Sequence, residues 1–185
     1  MSKYYYMLAT DSYESEYIYL KNDLLPEDLK RGCRESQFQF IPEKIGNLFL
    51  DDESGDEIPD FICDRINSVP LISERLKQLF DKIGIHNLYY QRVTLVRNRD
   101  NLSESYWIAV PPKIDCLDKD KSEIDELWNR AETVIIDEDK TGNYCIFKIS
   151  GVINDEIIIK EKIKKIVEEK GFNKGFLFSD DENLK

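Results

Sequence analysis

Residues 71–90 read LISERLKQLFDKIGIHNLYY, and residues 158–177 read IIKEKIKKIVEEKGFNKGFL. The two stretches share one plan. Each is an apolar run, then a charged amphipathic helix, then a glycine, then a second apolar run. Gly84 aligns with Gly171, Leu76 with Ile163, Leu79 with Ile166, Phe80 with Val167 and Glu74 with Glu161. Leu76, Leu79, Phe80 and Ile83 fall at the i, i+3, i+4, i+7 spacing of one helical face. Gly84 and Gly171 stand where a helix ends in a left-handed residue, which only glycine adopts cheaply. Neither copy carries a nucleophile or a metal-ligand cluster. The expectation is an internally repeated strand–helix–strand unit that builds a scaffold and presents a surface. Both helices, at 73–83 and 160–170, are expected to pack on one sheet.

Working outward, Ser73 is a candidate N-cap for the first helix. A long strand is expected at 87–96, followed by the polar turn RNRDNLS and a strand SYWIAV that stops at Pro111 and Pro112. A helix over 121–131 would place Ile124, Leu127, Trp128 and Ala131 on one face. The turn EDKTGN then joins TVIID and NYCIFKIS in an expected hairpin. Upstream, residues 3–9 form a tyrosine-rich edge or second strand, and 17–20 a second short one. Pro26 and Gly32 bracket a short helix as an N1 proline and a C-terminal glycine. QFQFI and NLFL, within 36–50, are apolar pieces broken by Pro42 and Gly46. The segment 51–64, DDESGDEIPDFICD, holds acids and no base, and reads as a solvated loop ending where IPDF turns inward. Strands and helices interleave, yet hairpins occur among them. The fold class is therefore α+β, a mixed, largely antiparallel sheet with packed helices. Residues 1–185 read as a single domain. An N-terminal lobe over 1–57 ahead of a repeat-containing core over 58–180 is the alternative division.

The chain has 185 residues, 26 basic and 37 acidic, for a net charge of −11. Such a surface repels nucleic-acid phosphates and anionic membranes, so neither is an expected partner. A macromolecular partner is expected to be basic. Cys33, Cys63, Cys116 and Cys145 are dispersed, and His86 is the lone histidine. No metal-knuckle spacing arises, and no disulfide, metal or cofactor is expected. Cys63, Cys116 and Cys145 lie in apolar runs and read as buried thiols. The N-terminus lacks a signal-peptide pattern and the apolar runs are too short to span a membrane, so a reduced, cytoplasmic location is expected.

Catalytic signatures are missing as well. There is no GxxxxGK[ST], no GxGxxG and no GxSxG. His86 follows a helix exit, and its counterpart in the second unit is Asn173, which favours a structural or surface role. No catalytic residue is assigned. The raw material for a metal-assisted hydrolase is the cluster Asp115, Asp118, Asp120, Glu123, Asp125 and Glu126. It lacks the central glycine of a calcium loop, and its alternative reading is the acidic first turn of the next helix. The acids of the 51–64 run are either an ordinary solvated loop or a docking patch that steers a basic partner. The candidate partner-binding residues are Asp51, Asp52, Glu53, Asp56, Glu57, Asp115 and Asp118. Tyrosines 4, 5, 6, 13, 17 and 19 read as half-buried packing or as contact residues.

Several ordered motifs together resemble one family. They are YYYML (4–8), IPDF (58–61), VPLISERLKQLFDKIGI (69–85), YYQRVTL (89–95), YWIAV (106–110), IDCLDKDKS (114–122), IFKI (146–149) and IIIKEKIKKIVEEKGFNKGFLF (157–178). This series is similar to the immunity-eleven type of bacterial polymorphic-toxin immunity protein, chiefly over residues 58–179. The family pattern after the tryptophan strand usually reads like LNV, then a VDALD-type turn and a serine. Here Ala109-Val110 and two prolines replace the first part, while Ile114–Asp118 and Ser122 keep the second. The resemblance implies a small cytoplasmic protein that binds and blocks a toxin encoded beside it, with no catalytic residues. A nuclease toxin would be basic, and an acidic inhibitor would suit it. The metal-assisted hydrolase and a small-ligand sensor or adaptor module stay as alternatives; oligomeric state is left open.

Overall fold

A computed structural model describes residues 3–9, 16–63, 69–172, 174–179 and 184. Tyr13, Asp64 and Asn173, named above, lie outside them. In chain order the elements are β1 (Tyr4–Ala9), a 3-10 turn (Asn22–Leu24), α1 (Glu27–Glu35), a 3-10 turn (Phe38–Phe40), β2 (Asn47–Phe49), β3 (Phe61–Ile62), β4 (Leu71–Ser73) and α2 (Glu74–Lys82). Then come β5 (Tyr89–Arg97), β6 (Leu102–Val110), β7 (Lys113–Ile114), β8 (Glu123–Asp125), β9 (Arg130–Thr133), α3 (Glu138–Thr141), β10 (Ile146–Ile149), β11 (Ile157–Lys160), α4 (Glu161–Glu169) and β12 (Phe176–Ser179). The class is α+β.

The strands form two five-stranded sheets, β12-β1-β11-β10-β7 and β2-β5-β6-β4-β3, and a small hairpin, β8-β9. Pairing is antiparallel except at β7–β10 and β2–β5. The N-terminal strand β1 lies between β11 and β12, pairing with both. The longest ladder is the β5–β6 hairpin, in which Tyr89 faces Val110 and Arg97 faces Leu102. Asn101 turns it in a left-handed conformation (φ 57°), a region that asparagine tolerates better than most residues.

Side-chain alternation along the strands builds layers, because successive residues face opposite sides of a sheet. Leu71, Ile108 and Val110 face one cluster with Leu29 and Cys33 of α1. Ile72 and Ala109 face the opposite cluster. On the other sheet, Tyr5, Met7, Ile157 and Ile159 enter that same central cluster, whereas Tyr4, Phe147 and Ile158 face a third one. The central cluster also holds Leu76, Leu79 and Phe80 of α2 and Ile163 and Val167 of α4. The two sheets are thus joined through one core that contains both helices.

The expectation that both helices pack on one sheet is corrected. α2 follows β4 of one sheet and α4 follows β11 of the other; they meet at the shared core. The first unit runs β4–α2–β5 with antiparallel β6 lying between its two strands, and the second runs β11–α4–β12 with β1 between its two. Ser73 caps α2 by accepting a bond from the Leu76 N–H at 3.2 Å; the equivalent Lys160 makes no side-chain cap. Gly84 and Gly171 both take positive φ, 80° and 70°. Ile166 is only half-buried, at the margin of the core.

Other local readings change for identifiable reasons. Gly32 is inside α1, not at its end. A Cβ there would lie 2.6 Å from Ile41 Cγ1, so the glycine admits close packing of the following turn. The helix instead ends at Ser36 (φ 52°), whose hydroxyl donates to the Pro111 carbonyl at 2.7 Å. Pro26 is the N-cap residue. Residues 17–20 contribute only two isolated bridges, Tyr17 to Glu57 and Leu20 to Leu50. The expected helix at 121–131 is the β8–β9 hairpin. Its turn is fixed by Asp125 Oδ1, which accepts from the Leu127 and Trp128 N–H groups at 2.8 and 3.2 Å, and by left-handed Asn129 (φ 50°). Nor do TVIID and NYCIFKIS pair: α3 lies between them, and β10 pairs with β11 and β7.

All four cysteines are free thiols. Cys116 and Cys145 are buried as expected, Cys63 is only half-buried, and Cys33 is buried although it sits in a polar stretch of sequence. Burial pushes its thiol up to about 12 and that of Cys116 up to about 11. Lys148 is buried in β10, where its ammonium donates to Asp155 at 2.7 Å and to the Cys33 carbonyl at 3.2 Å, tying α1 to the sheet.

Candidate functional site

The acidic segment after β2 emerges beside the end of β5. β2 pairs with β5 from Asn47 against Thr94 to Phe49 against Val96, and Leu50 N–H continues onto the Val96 carbonyl at 2.8 Å. This register delivers residues 51–57 to the β5–β6 turn, where two arginines wait. Arg97 is 2% exposed. Its guanidinium donates to the Gly55 carbonyl at 2.5 Å, to Asp56 at 3.1 Å and to Asp100 at 2.6 and 3.1 Å. Arg99 donates to the Asp52 carbonyl at 2.8 Å and pairs with Asp56. The Arg97 bonds hold the Asp100 carboxyl below its ordinary range.

The other flank is stitched by backbone. Asp51 N–H donates to Tyr19, Gly55 N–H to Tyr17 and Glu57 N–H to Glu16. A Cβ on Gly55 would lie 2.0 Å from the Glu16 carbonyl oxygen, so only glycine fits this approach. The expected solvated loop is therefore a clamped one. Asp52, Glu53, Asp56 and Glu57 have exposed side chains and Asp51 is half-buried. Asp56 carries two arginine partners, and Glu57 has Lys174 at 3.5 Å. The segment ends at Asp60, which is buried. It accepts from Arg75 Nε and Nη2, each at 2.6 Å, and from the Ser73 hydroxyl at 2.8 Å. That network fastens the segment to the start of α2, and it raises the Arg75 pKa through the hydrogen bond to Asp60.

Asp115 and Asp118 follow β7, on the other sheet. Asp115 is exposed; Asp118 is half-buried, and its bond from Lys121 at 2.6 Å holds its carboxyl low. No hydrogen bond or ion pair among the described residues joins them to 51–57. Three of the six carboxylates of the hydrolase alternative are individually committed: Asp118 to Lys121, Glu123 to the Thr133 hydroxyl at 2.9 Å, Asp125 to its own turn. Among the described residues, no three His, Cys, Asp or Glu side chains gather in a metal-holding group. His86 is exposed at the exit of α2. No helix among the described residues is long and apolar enough to cross a membrane.

The model of the Imm11 immunity protein family matches residues 7–182. The chain belongs to the Imm11 immunity protein family. The match takes in the strands of both sheets from Met7 of β1 onward, both central helices and the clamped acidic segment, and membership implies a cognate toxin as partner. No curated protein matches the chain.

Sequence reading missed Arg75, Arg97 and Arg99. The visible signal for two of them was RNRD (97–100), the most closely spaced arginine pair of the chain, at the tip of its longest hairpin. It also placed Leu127 and Trp128 on one helical face with Ile124 and Ala131, whereas Leu127 and Trp128 are exposed on a hairpin turn and Ala131 is buried.

Proposed function

We propose that this Imm11 protein binds its cognate toxin domain and neutralises it by non-catalytic occlusion, acting as one unit over 1–185 in the cytoplasm of a toxin-bearing bacterium. The family match over 7–182 is the observation that carries this reading. The net charge of −11 supports a basic toxin surface as the target. The candidate contact residues are Asp51, Asp52, Glu53, Asp56, Glu57, Asp115 and Asp118. Their roles differ. Asp56 is partly neutralised by Arg97 and Arg99, so steering falls mainly to Asp51, Asp52 and Glu53. The clamp gives the segment a fixed shape, which lowers the entropy lost on docking.

The test is co-expression with the toxin domain encoded beside this gene, followed by affinity purification. Growth rescue together with stable co-purification supports the proposal. A purified, folded protein that neither binds nor protects overturns it.

A further inference from the structure

The three most exposed large apolar side chains among the described residues are Leu127 (83%), Trp128 (67%) and Ile153 (58%). The turn that carries Leu127 and Trp128 and the segment that carries Ile153 meet at one junction. Ile153 N–H donates to the Asn129 carbonyl at 2.9 Å, and Asn129 Nδ2 donates to the Gly151 carbonyl at 3.2 Å. Isolated surface apolar residues need no explanation, but a gathered set held in place does.

The junction is rigidly built. Asp125 closes the turn beneath Leu127 and Trp128. Asn154 grips the far strand at both backbone groups of Ala131: its Oδ1 accepts from the N–H at 2.8 Å and its Nδ2 donates to the carbonyl at 3.0 Å. Ala131 is itself buried in the third cluster. A turn whose backbone is held in this way loses little main-chain freedom on contact, and tryptophan is among the residues that most often anchor interfaces.

Charge selects the occupant. From 123 to 132 there are four acids, Glu123, Asp125, Glu126 and Glu132, against one base, Arg130. Glu123, Glu126 and Glu132 are exposed. A second copy docked through a two-fold axis would set collar against like collar, and an anionic membrane would be repelled. An apolar recess rimmed by lysine or arginine fits both features.

We propose that the β8–β9 tip, Leu127 and Trp128 with Ile153 beside them, is the apolar anchor by which this protein enters a basic-rimmed recess on its toxin. This rests on the immunity reading above. The test uses the toxin domain encoded beside this gene and the variant Leu127→Ser/Trp128→Ser. Both side chains are exposed, so circular dichroism and the melting temperature should match the parent. The toxin affinity should fall at least about 30-fold, mainly through faster dissociation. As a second readout, the protein alone is labelled with 5-fluorotryptophan. The ¹⁹F resonance lost in Trp128→Phe should shift when toxin is added. Unchanged affinity and an unshifted resonance overturn the anchor and leave the immunity reading standing. Wild-type protein that binds no toxin overturns both. A wild-type dimer abolished by the double substitution, with toxin affinity unchanged, overturns it in favour of self-association.

Discussion

Removing Arg75 should destabilise the protein more than removing its buried partner Asp60. The pair is lopsided: the Asp60 side chain is 3% exposed and that of Arg75 is 55% exposed. In Asp60→Ala, the guanidinium returns to water. The loss is two charge-assisted bonds to a half-solvated donor and one bond to the Ser73 hydroxyl, about 2 kcal/mol together. Ser73 keeps its cap on Leu76. In Arg75→Met, the carboxylate stays buried with only the Ser73 hydroxyl as a side-chain donor. Orphaning a buried charge costs about 3–5 kcal/mol. The contact of the guanidinium over the Phe172 ring is lost as well, adding about 0.5 kcal/mol at an exposed site. The Asp60→Ala/Arg75→Met pair should then be less destabilised than Arg75→Met alone, the mark of a coupled pair. Urea unfolding followed by far-UV circular dichroism measures all three, with unchanged m-values expected. Equal losses, or the reverse order, would refute the claim that Asp60 is the desolvated partner.

Three further outcomes are expected. Leu79→Ala should lose about 2–5 kcal/mol, and Ile166→Ala less than Leu79→Ala because Ile166 is half-buried; equal losses in denaturant titrations would contradict the layer assignment. Stability should decline in alkali: Cys33, Cys116, Tyr90 and Tyr106 all have pKa values raised by burial. A raised folded pKa leaves its stabilisation intact below the unfolded thiol value of about 8.5. It is lost as pH climbs through the folded values, about 11 for Cys116 and about 12 for Cys33. A urea midpoint equal at pH 8 and pH 11 would contradict this. Finally, Asp51→Asn/Asp52→Asn/Glu53→Gln should slow toxin association and flatten its salt dependence while leaving dissociation alone. Stopped-flow binding at two salt concentrations decides it, and an unchanged association rate removes these acids from the encounter.

Local features were legible in the sequence because short-range chemistry determines them. The Ser73 cap, the glycines after α2 and α4, and the β5–β6 hairpin ended by Pro111 all depend on neighbours within a few residues. Long-range choices were not. Ile124, Leu127, Trp128 and Ala131 satisfy helical spacing equally well whether or not a helix forms, and Asp125 with Asn129 makes the turn that decides otherwise. Which sheet α4 joins depends on β1, contributed from the opposite end of the chain. The same holds for the site. The acids at 51–57 were visible as a run of charge, but their clamp by Arg97 and Arg99 follows from the β2–β5 pairing, which no local pattern announces. Trp128 reads as part of one helical face with Ile124, Leu127 and Ala131, yet it is exposed on a hairpin turn, so the candidate anchor was hidden in a helix that does not form.

The central claim is stoichiometric, non-catalytic blockade of a toxin. It is tested most directly by titrating a fixed amount of the active toxin domain with this protein while following the toxin's own activity. Activity should fall linearly to zero at one equivalent, and active, chemically unaltered toxin should be recovered after the complex is denatured and separated. Full activity at excess protein, or inactivation by a small fraction of an equivalent that persists after separation, would contradict it.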